Sequence, residues 1–237
     1  MTGAMNIKEY FTDELSSWKT WELLWFSFCF FASLALALYL GDTLLGILSS
    51  LSGICYTLLA GKGKISCYFF GIINSILYGW ISYRERLFGE VMLNWGWYFP
   101  MMFAGIFFWK QNMNKNRTVL KRVLDWKGKI FCYALTLAGI GGYGYILRLL
   151  KDPQPFVDSA TTVLSVTAMI LTVKRCADQW ILWTLVNLLS IWMWLKVFRA
   201  DGAWGATLCM WIIALCNGIL FFIQWYREIR SCTAKEQ

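Results

Sequence analysis

Trp180-Ile-Leu-Trp183-Thr-Leu-Val-Asn187-Leu-Leu-Ser190-Ile-Trp-Met-Trp194 decides the fold of this chain. At ~100° per residue, Trp180, Trp183, Asn187, Ser190 and Trp194 project within a sector of roughly 80° on one helix face. The segment that carries them, 178–198, is long and apolar enough to cross a hydrocarbon core of ~30 Å. An amide in the middle of such a helix is costly in lipid unless it finds a partner. The indoles on either side of it offer flat surfaces for a heteroaromatic ligand. A helix–helix hydrogen bond from Asn187, with the tryptophans as packing or interface anchors, is the alternative. Five such residues on one stripe favour a ligand site.

Composition fixes the class. Of 237 residues, 58% are hydrophobic, 18% aromatic and only 15% charged, whereas a soluble domain carries about 25% charged residues. Apolar runs of about 20 residues predict eight spans, at 20–40, 43–60, 64–83, 87–109, 128–150, 156–173, 178–198 and 203–226. Residues 5–17 read as a short amphipathic helix lying at the membrane surface. No secretory leader is expected. The first apolar run is too long for one, and Asp13, Glu14 and Glu22 interrupt its basic flank. The expected fold is an all-α integral membrane protein.

Charge sets the orientation. With the N-terminus placed inside, the inner segments hold sixteen Lys and Arg residues and the outer ones six. The positive-inside rule then places both termini in the cytoplasm. The net charge of +8 is therefore topological and does not point to nucleic acid. The basic 110–129 loop is expected to rest on anionic headgroups.

Several chemistries are excluded. The chain has no His, so a His base, a His-ligated metal and a His proton relay are all ruled out. Its eight cysteines show no Cys-x-x-Cys spacing and read as small apolar packers, not metal ligands or a disulfide framework. No enzymatic activity, catalytic residue, metal or cofactor is expected. Acidic residues are nearly absent from span centres. Glu90 and Asp158 fall near outer ends and Glu22 near an inner one, where water keeps a carboxylate ionised.

A repeat runs through the chain. Ser52, Lys62 and Asn74 match Ser165, Arg175 and Asn187 at a constant offset of 113. Phe107-Phe108-Trp109-Lys110 resembles Ile223-Gln224-Trp225-Tyr226 at an offset of 116. Spans two to four then correspond to spans six to eight, span five joins them, and span one is extra. A single linking span makes the triplets parallel repeats, which bind substrate near the midplane between them. The divisions are 1–42 (amphipathic segment and extra helix), 43–110 (first triplet), 111–155 (basic loop and linker helix) and 156–237 (second triplet and tail). Gly139, Gly141, Gly142 and Gly144 in span five suit close helix packing in a structural linker.

Other stripes add candidates. Span six aligns Asp158, Thr161, Thr162, Ser165, Met169 and Thr172, and span four aligns Glu90, Asn94, Trp97, Tyr98 and Met101, with Pro100 able to kink it. Asn217, Phe221 and Gln224 share a face of span eight. Thr and Ser hydroxyls often bond only the preceding turn, but amides in lipid need an external partner. The binding candidates are Trp180, Trp183, Asn187, Ser190, Asn74, Asn94, Thr162, Ser165, Asn217 and Gln224. Asp158, Glu90, Trp97 and Tyr98 are gating candidates.

Pro155-Phe-Val-Asp158-Ser-Ala-Thr-Thr162-Val-Leu-Ser165, continuing through Lys174-Arg175 to Gln179-Trp180-x-x-Trp183-x-x-x-Asn187-x-x-Ser190, resembles the signature of the PnuC nicotinamide riboside transporters. The resemblance covers about 43–230. It implies a 3+1+3 helix arrangement like that of the sugar-transporting SWEET proteins, with an extra first helix. It also implies facilitated uptake of nicotinamide riboside, an NAD precursor, across a bacterial inner membrane. A cytoplasmic riboside kinase then traps the cargo by phosphorylation, and the assembly is a homotrimer. On this view Trp180 and Trp183 hold the pyridinium ring by stacking and cation–π contact. Asn187, with Asn74 or Asn94, bonds the carboxamide, and Thr162, Ser165 and Gln224 contact the ribose. The alternative is a transporter of the same fold for another vitamin, such as thiamine or riboflavin.

Overall fold

The computed structural model describes residues 18–114, 117–151, 154–201 and 204–233. The amphipathic helix expected over 5–17 lies outside them. The described residues build α1 (Thr20–Tyr39), α2 (Leu44–Lys62), α3 (Cys67–Arg84), α4 (Phe88–Lys110), α5 (Trp126–Leu149), α6 (Pro155–Val173), α7 (Gln179–Asp201) and α8 (Gly205–Thr233). By length and composition, seven of these helices are suited to cross a membrane. The 18-residue α3 is not among them, because Asn74, Ser75, Ser82 and Arg84 dilute its apolar character.

Local chemistry sets the helix ends. Thr43 caps α2 by accepting from Gly46 N–H at 3.2 Å, and Asp125 caps α5 by accepting from Gly128 N–H at 3.2 Å. Pro155 opens α6 at a position where its missing N–H costs nothing. The α2 terminus turns through left-handed Gly63 (φ 73°), with Lys64 N–H returning to the Leu59 carbonyl at 2.9 Å. The α6 terminus repeats this through Arg175 (φ 62°), with Cys176 N–H returning to Leu171 at 2.9 Å. Both are helix stops in which orphan carbonyls are satisfied by the chain itself.

One helix departs from the α pattern. Residues Met92–Tyr98 of α4 form a π-helix, followed by Phe99–Lys110. Pro100 has no N–H and would crowd the carbonyl four residues back. The widened turn before it takes up that conflict, and such widened turns mark functional sites.

Within lipid, apolar side chains gain little by leaving their solvent, so close packing and hydrogen bonds hold helices together. The α2–α3, α7–α8, α5–α6 and α2–α8 pairs carry most of the packing. A Cβ on Gly61 would lie 2.2 Å from the Phe221 ring, and one on Gly53 would lie 2.3 Å from Met210 Sδ. Both glycines are therefore sockets for α8 on α2. Glycine does less in α5 than its spacing suggests. Gly139 and Gly144 approach Val163 and Phe156 of α6, but Gly141 and Gly142 face open space.

Tyr68, Trp109, Trp194 and Trp225 are fully buried at the centre of the bundle. Phe131, Leu135, Leu137 and Ile146 of α5 are exposed on its outer face. The helix α1 is tied to both α2 and α8: Glu22 pairs with Lys62 at 2.8 Å and accepts from Gln224 at 3.2 Å. Ser33 meets Ser50 at 3.0 Å on the same helix pair.

Candidate functional site

A cavity of about 100 Å³ opens among α2, α3, α4, α6, α7 and α8, many times the ~10–15 Å³ that a single water needs. One wall is a face of α7, where Gln179, Trp180, Trp183 and Asn187 follow one another at helical spacing. Facing it are Asn74, Ser75 and Tyr78 of α3 and Glu90, Asn94 and Tyr98 of α4. Tyr56 and Thr57 of α2, Met169 and Thr172 of α6, and Met210 and Trp211 of α8 complete the lining.

Aromatic rings form its walls and are themselves fixed. Trp183 donates its indole N–H to Thr172 Oγ1 at 2.9 Å, and its ring centroid lies 5.9 Å from that of Tyr98. Trp180, 3% exposed, rests against Phe221 at 5.4 Å and edge-on against Trp225 at 5.7 Å. The Tyr78 ring sits 5.6 Å from Trp194 and 5.9 Å from Trp211, and its hydroxyl accepts the Trp194 N–H. Rings locked in this way present preformed π faces with little ordering cost on binding.

The polar groups divide into spent and unspent. Asn74 donates to the Ser49 carbonyl at 2.8 Å, and Asn94 donates to the Glu90 carbonyl at 2.8 Å. Each is anchored through its nitrogen and keeps its carbonyl oxygen for the cavity. Asn187, 4% exposed, makes no hydrogen bond to any described residue. Gln179 Nε2 and Trp180 Nε1 are buried with no hydrogen-bond partner among the described residues. Buried polar groups are normally paired, so unpaired donors around one cavity mark a place where a ligand completes the bonding.

Glu90 differs from its expected setting at a wet interface. Its side chain lines the cavity at 8% exposure. The short α-turn Phe88–Val91 packs against α3 before the π segment begins, and this turns the carboxylate inward. No Lys or Arg pairs with it among the described residues. Glu22, also expected near water, is 4% exposed and held by Lys62.

The other candidates lie away from the cavity lining. Asn217 accepts from Trp25 Nε1 at 2.8 Å and so serves the α1–α8 contact. Gln224 donates to Glu22 and Glu228 at 3.2 and 3.0 Å. Ser190 is buried with its hydroxyl unpaired, and Ser165 is buried on α6 beside Tyr98. Thr162, Trp97 and Asp158 are also outside the lining. Asp158 stands on the first turn of α6, close enough to Glu90 for the two carboxylates to repel.

Tyr78, Gln179 and Trp211 belong to the lining but are not among the binding candidates read from the sequence, although Gln179 opens the Trp180–Ser190 signature. Tyr78 lies one turn beyond Asn74 on the same face, a signal that was available. Gln179 sits at the helix start, where polar residues are ordinary. Trp211 lies off the Asn217–Gln224 stripe.

Two residues before Trp180, a network forms around Asp178. This carboxylate, fully buried, accepts from Leu124 N–H at 2.9 Å and from the Tyr226 hydroxyl at 3.1 Å, and it pairs with Lys129 at 3.2 Å. The 117–125 segment also bonds Gly63 and Ala177 through the backbone. The basic loop expected on lipid thus spends Lys121 on Glu228 and Lys129 on Asp178. Burial lowers the Lys121 pKa, and Glu228 opposes that shift.

Residues 43–227 match the family described as nicotinamide mononucleotide transporter. The nicotinamide riboside transporter PnuC of Neisseria mucosa is 30% identical over 90% of this chain and 83% of its own length. The protein of the same name from Haemophilus influenzae is 30% identical over 97% and 99%. A crystal structure of the vitamin B3 transporter PnuC superposes with a TM-score of 0.86 at 28% identity, covering 96% of this chain and 99% of that one.

Proposed function

This chain belongs to the nicotinamide mononucleotide transporter family, and on that premise we propose that it carries nicotinamide riboside across a membrane through the cavity walled by α7. The observation that carries this is the Asn187 carboxamide, which lines the cavity beside its aromatic walls and makes no hydrogen bond to any described residue. A nicotinamide carboxamide is its complement, donor to acceptor and acceptor to donor. Trp180, Trp183 and Tyr98 offer faces to the pyridinium ring, each such contact being worth ~0.5–2 kcal/mol. Gln179 Nε2 and the free oxygens of Asn74 and Asn94 suit ribose hydroxyls.

The cavity favours the riboside over the mononucleotide. Its lining holds no Lys or Arg, so a phosphate would enter a buried site with no cation to meet it. Calorimetric titration of the purified protein tests this. Nicotinamide riboside is expected to bind at least 100-fold tighter than its phosphate, as for a buried anion left unpaired. Equal affinities would overturn the assignment.

Eight spanning helices in 3+1+3 order, with α1 added, is the architecture we infer. The α2–α3–α4 and α6–α7–α8 triplets have matching features that support it. Gly63 and Arg175 end their first helices in the same left-handed turn. Tyr68 meets Trp109 edge-on as Trp180 meets Trp225. The Lys/Arg bias supports both termini in the cytoplasm, and a bacterial inner membrane is implied by the family resemblance. Transport is facilitated diffusion, one triplet rocking against the other, with the cargo trapped by a cytoplasmic riboside kinase. A homotrimer is the assembly implied by the family resemblance.

A further inference from the structure

We propose that Glu90 reads the charge of the cargo: its carboxylate pairs with the cationic ring, so the cavity selects pyridinium nucleosides over neutral ones of the same shape. This rests on the cavity being the nicotinamide riboside site. The lining contains one carboxylate and no Lys or Arg, so a cation is the ligand that leaves it electrically balanced.

Among the described residues, the other two fully buried acids, Glu22 and Asp178, already have their cations. Glu22 is paired with Lys62, Asp178 with Lys129 and Glu228 with Lys121. Glu90 has none among the described residues, although it is 8% exposed. A carboxylate kept in a buried site without a counter-ion is costly, and a cationic ligand supplies what the protein withholds.

The placement is also deliberate in geometric terms. Asn94 bonds the Glu90 backbone carbonyl at 2.8 Å across the first turn of α4. The π segment starts immediately afterwards. Tyr78 and Tyr98 stand beside the carboxylate and line the same cavity. A carboxylate among ring faces is the arrangement that binds a delocalised organic cation, and cation–π contact adds to the ion pair.

The test titrates purified full-length protein with nicotinamide riboside and with its neutral 1,4-dihydro form, which keeps the carboxamide and ribose. The unaltered protein should prefer the cation by at least tenfold. In Glu90→Gln, affinity for the cation should fall by ~10–100-fold, the range of a buried charge-assisted contact, and affinity for the neutral form by less than threefold. Glu90→Asp, which keeps the charge, should retain the preference. Equal affinity of the unaltered protein for the two forms overturns the proposal without needing any variant to fold. So does an equal loss for both forms in Glu90→Gln, which would make the residue a structural contact. If neither form binds the unaltered protein, the cargo assignment fails and the charge-reading role fails with it.

Discussion

The Trp225 indole donates to the Gly61 carbonyl at 2.6 Å, joining α8 to the last turn of α2. Trp109 of α4 makes the corresponding bond to the Thr172 carbonyl near the end of α6, at 3.0 Å. Carbonyls at a helix end can lack an intrahelical donor, and in a membrane such a group is expensive to leave bare; the Thr172 carbonyl also accepts the Arg175 N–H at 2.9 Å. Trp225 also supports Trp180 edge-on, so the residue that ties these two helices together also sets the position of a cavity wall.

Trp225→Phe keeps a ring and removes the donor. Stability should fall by ~0.5–2 kcal/mol, the range of interhelical hydrogen bonds in membranes. Affinity for nicotinamide riboside should fall as well, because a smaller ring no longer anchored to Gly61 holds Trp180 less firmly. Trp109→Phe should cost similar stability with a smaller effect on affinity, since Trp109 meets Tyr68 whereas the ring contacts of Trp180 among the described residues are with Phe221 and Trp225. Melting curves in detergent and calorimetry on both variants separate the two effects. Equal affinity losses would remove the link between Trp225 and the site.

Glu22 and Lys62 form an ion pair whose side chains are 4% and 9% exposed. Removing one partner strands the other, so Lys62→Met should cost ~3–5 kcal/mol. Removing both, as Glu22→Leu with Lys62→Met, should recover most of that loss, because no bare charge remains. Thermal unfolding of the single and double variants in detergent measures the difference. A double variant as unstable as the single one would mean that Gln224 and Lys19, which also bond Glu22, carry the interaction.

Periodicity made the helices and the α7 stripe legible, because 3.6-residue spacing and lipid-scale length leave few alternatives. The environment of Glu90 was not legible. Its position at a helix start suggested water, whereas the π segment and the packing of Phe88–Val91 on α3 turn it inward. Those depend on contacts between distant residues. Asn217 and Gln224 show the converse: their face of α8 looked like a site stripe, but its partners are Trp25 and Glu22 on α1. A stripe specifies a direction, and only the neighbouring helix decides whether that direction is a cavity or a contact.

Asn187→Leu should leave a distinctive signature. The amide makes no hydrogen bond to any described residue and the residue is 4% exposed, so the empty protein bears the cost of a partly desolvated amide in its cavity wall. Leucine removes that cost at similar volume, and the melting temperature without ligand should hold or rise. Affinity for nicotinamide riboside should fall by ~1–3 kcal/mol, as the cargo carboxamide is left unpaired. A drop in melting temperature with unchanged affinity would make Asn187 a structural contact after all.

A carrier driven by protons must link a titrating group to the cargo in a fixed ratio, and Glu90 is the carboxylate in the cavity lining. On the reading above, that carboxylate answers to the charge of the cargo. It binds the cation in exchange for no other ion, so transport should run down the substrate gradient alone. Reconstituted in liposomes at zero membrane potential, the protein should equilibrate nicotinamide riboside with no imposed pH or sodium gradient, and the internal concentration should stop at the external one. Voltage has to be clamped because a monovalent cation gains about 2.3 kcal/mol per 100 mV of inside-negative potential, which would mimic active uptake. Under the clamp, a proton gradient alone should not drive accumulation. If it does, and Glu90→Gln abolishes the accumulation while leaving equilibration intact, Glu90 is a coupling residue and the uniport mechanism is wrong.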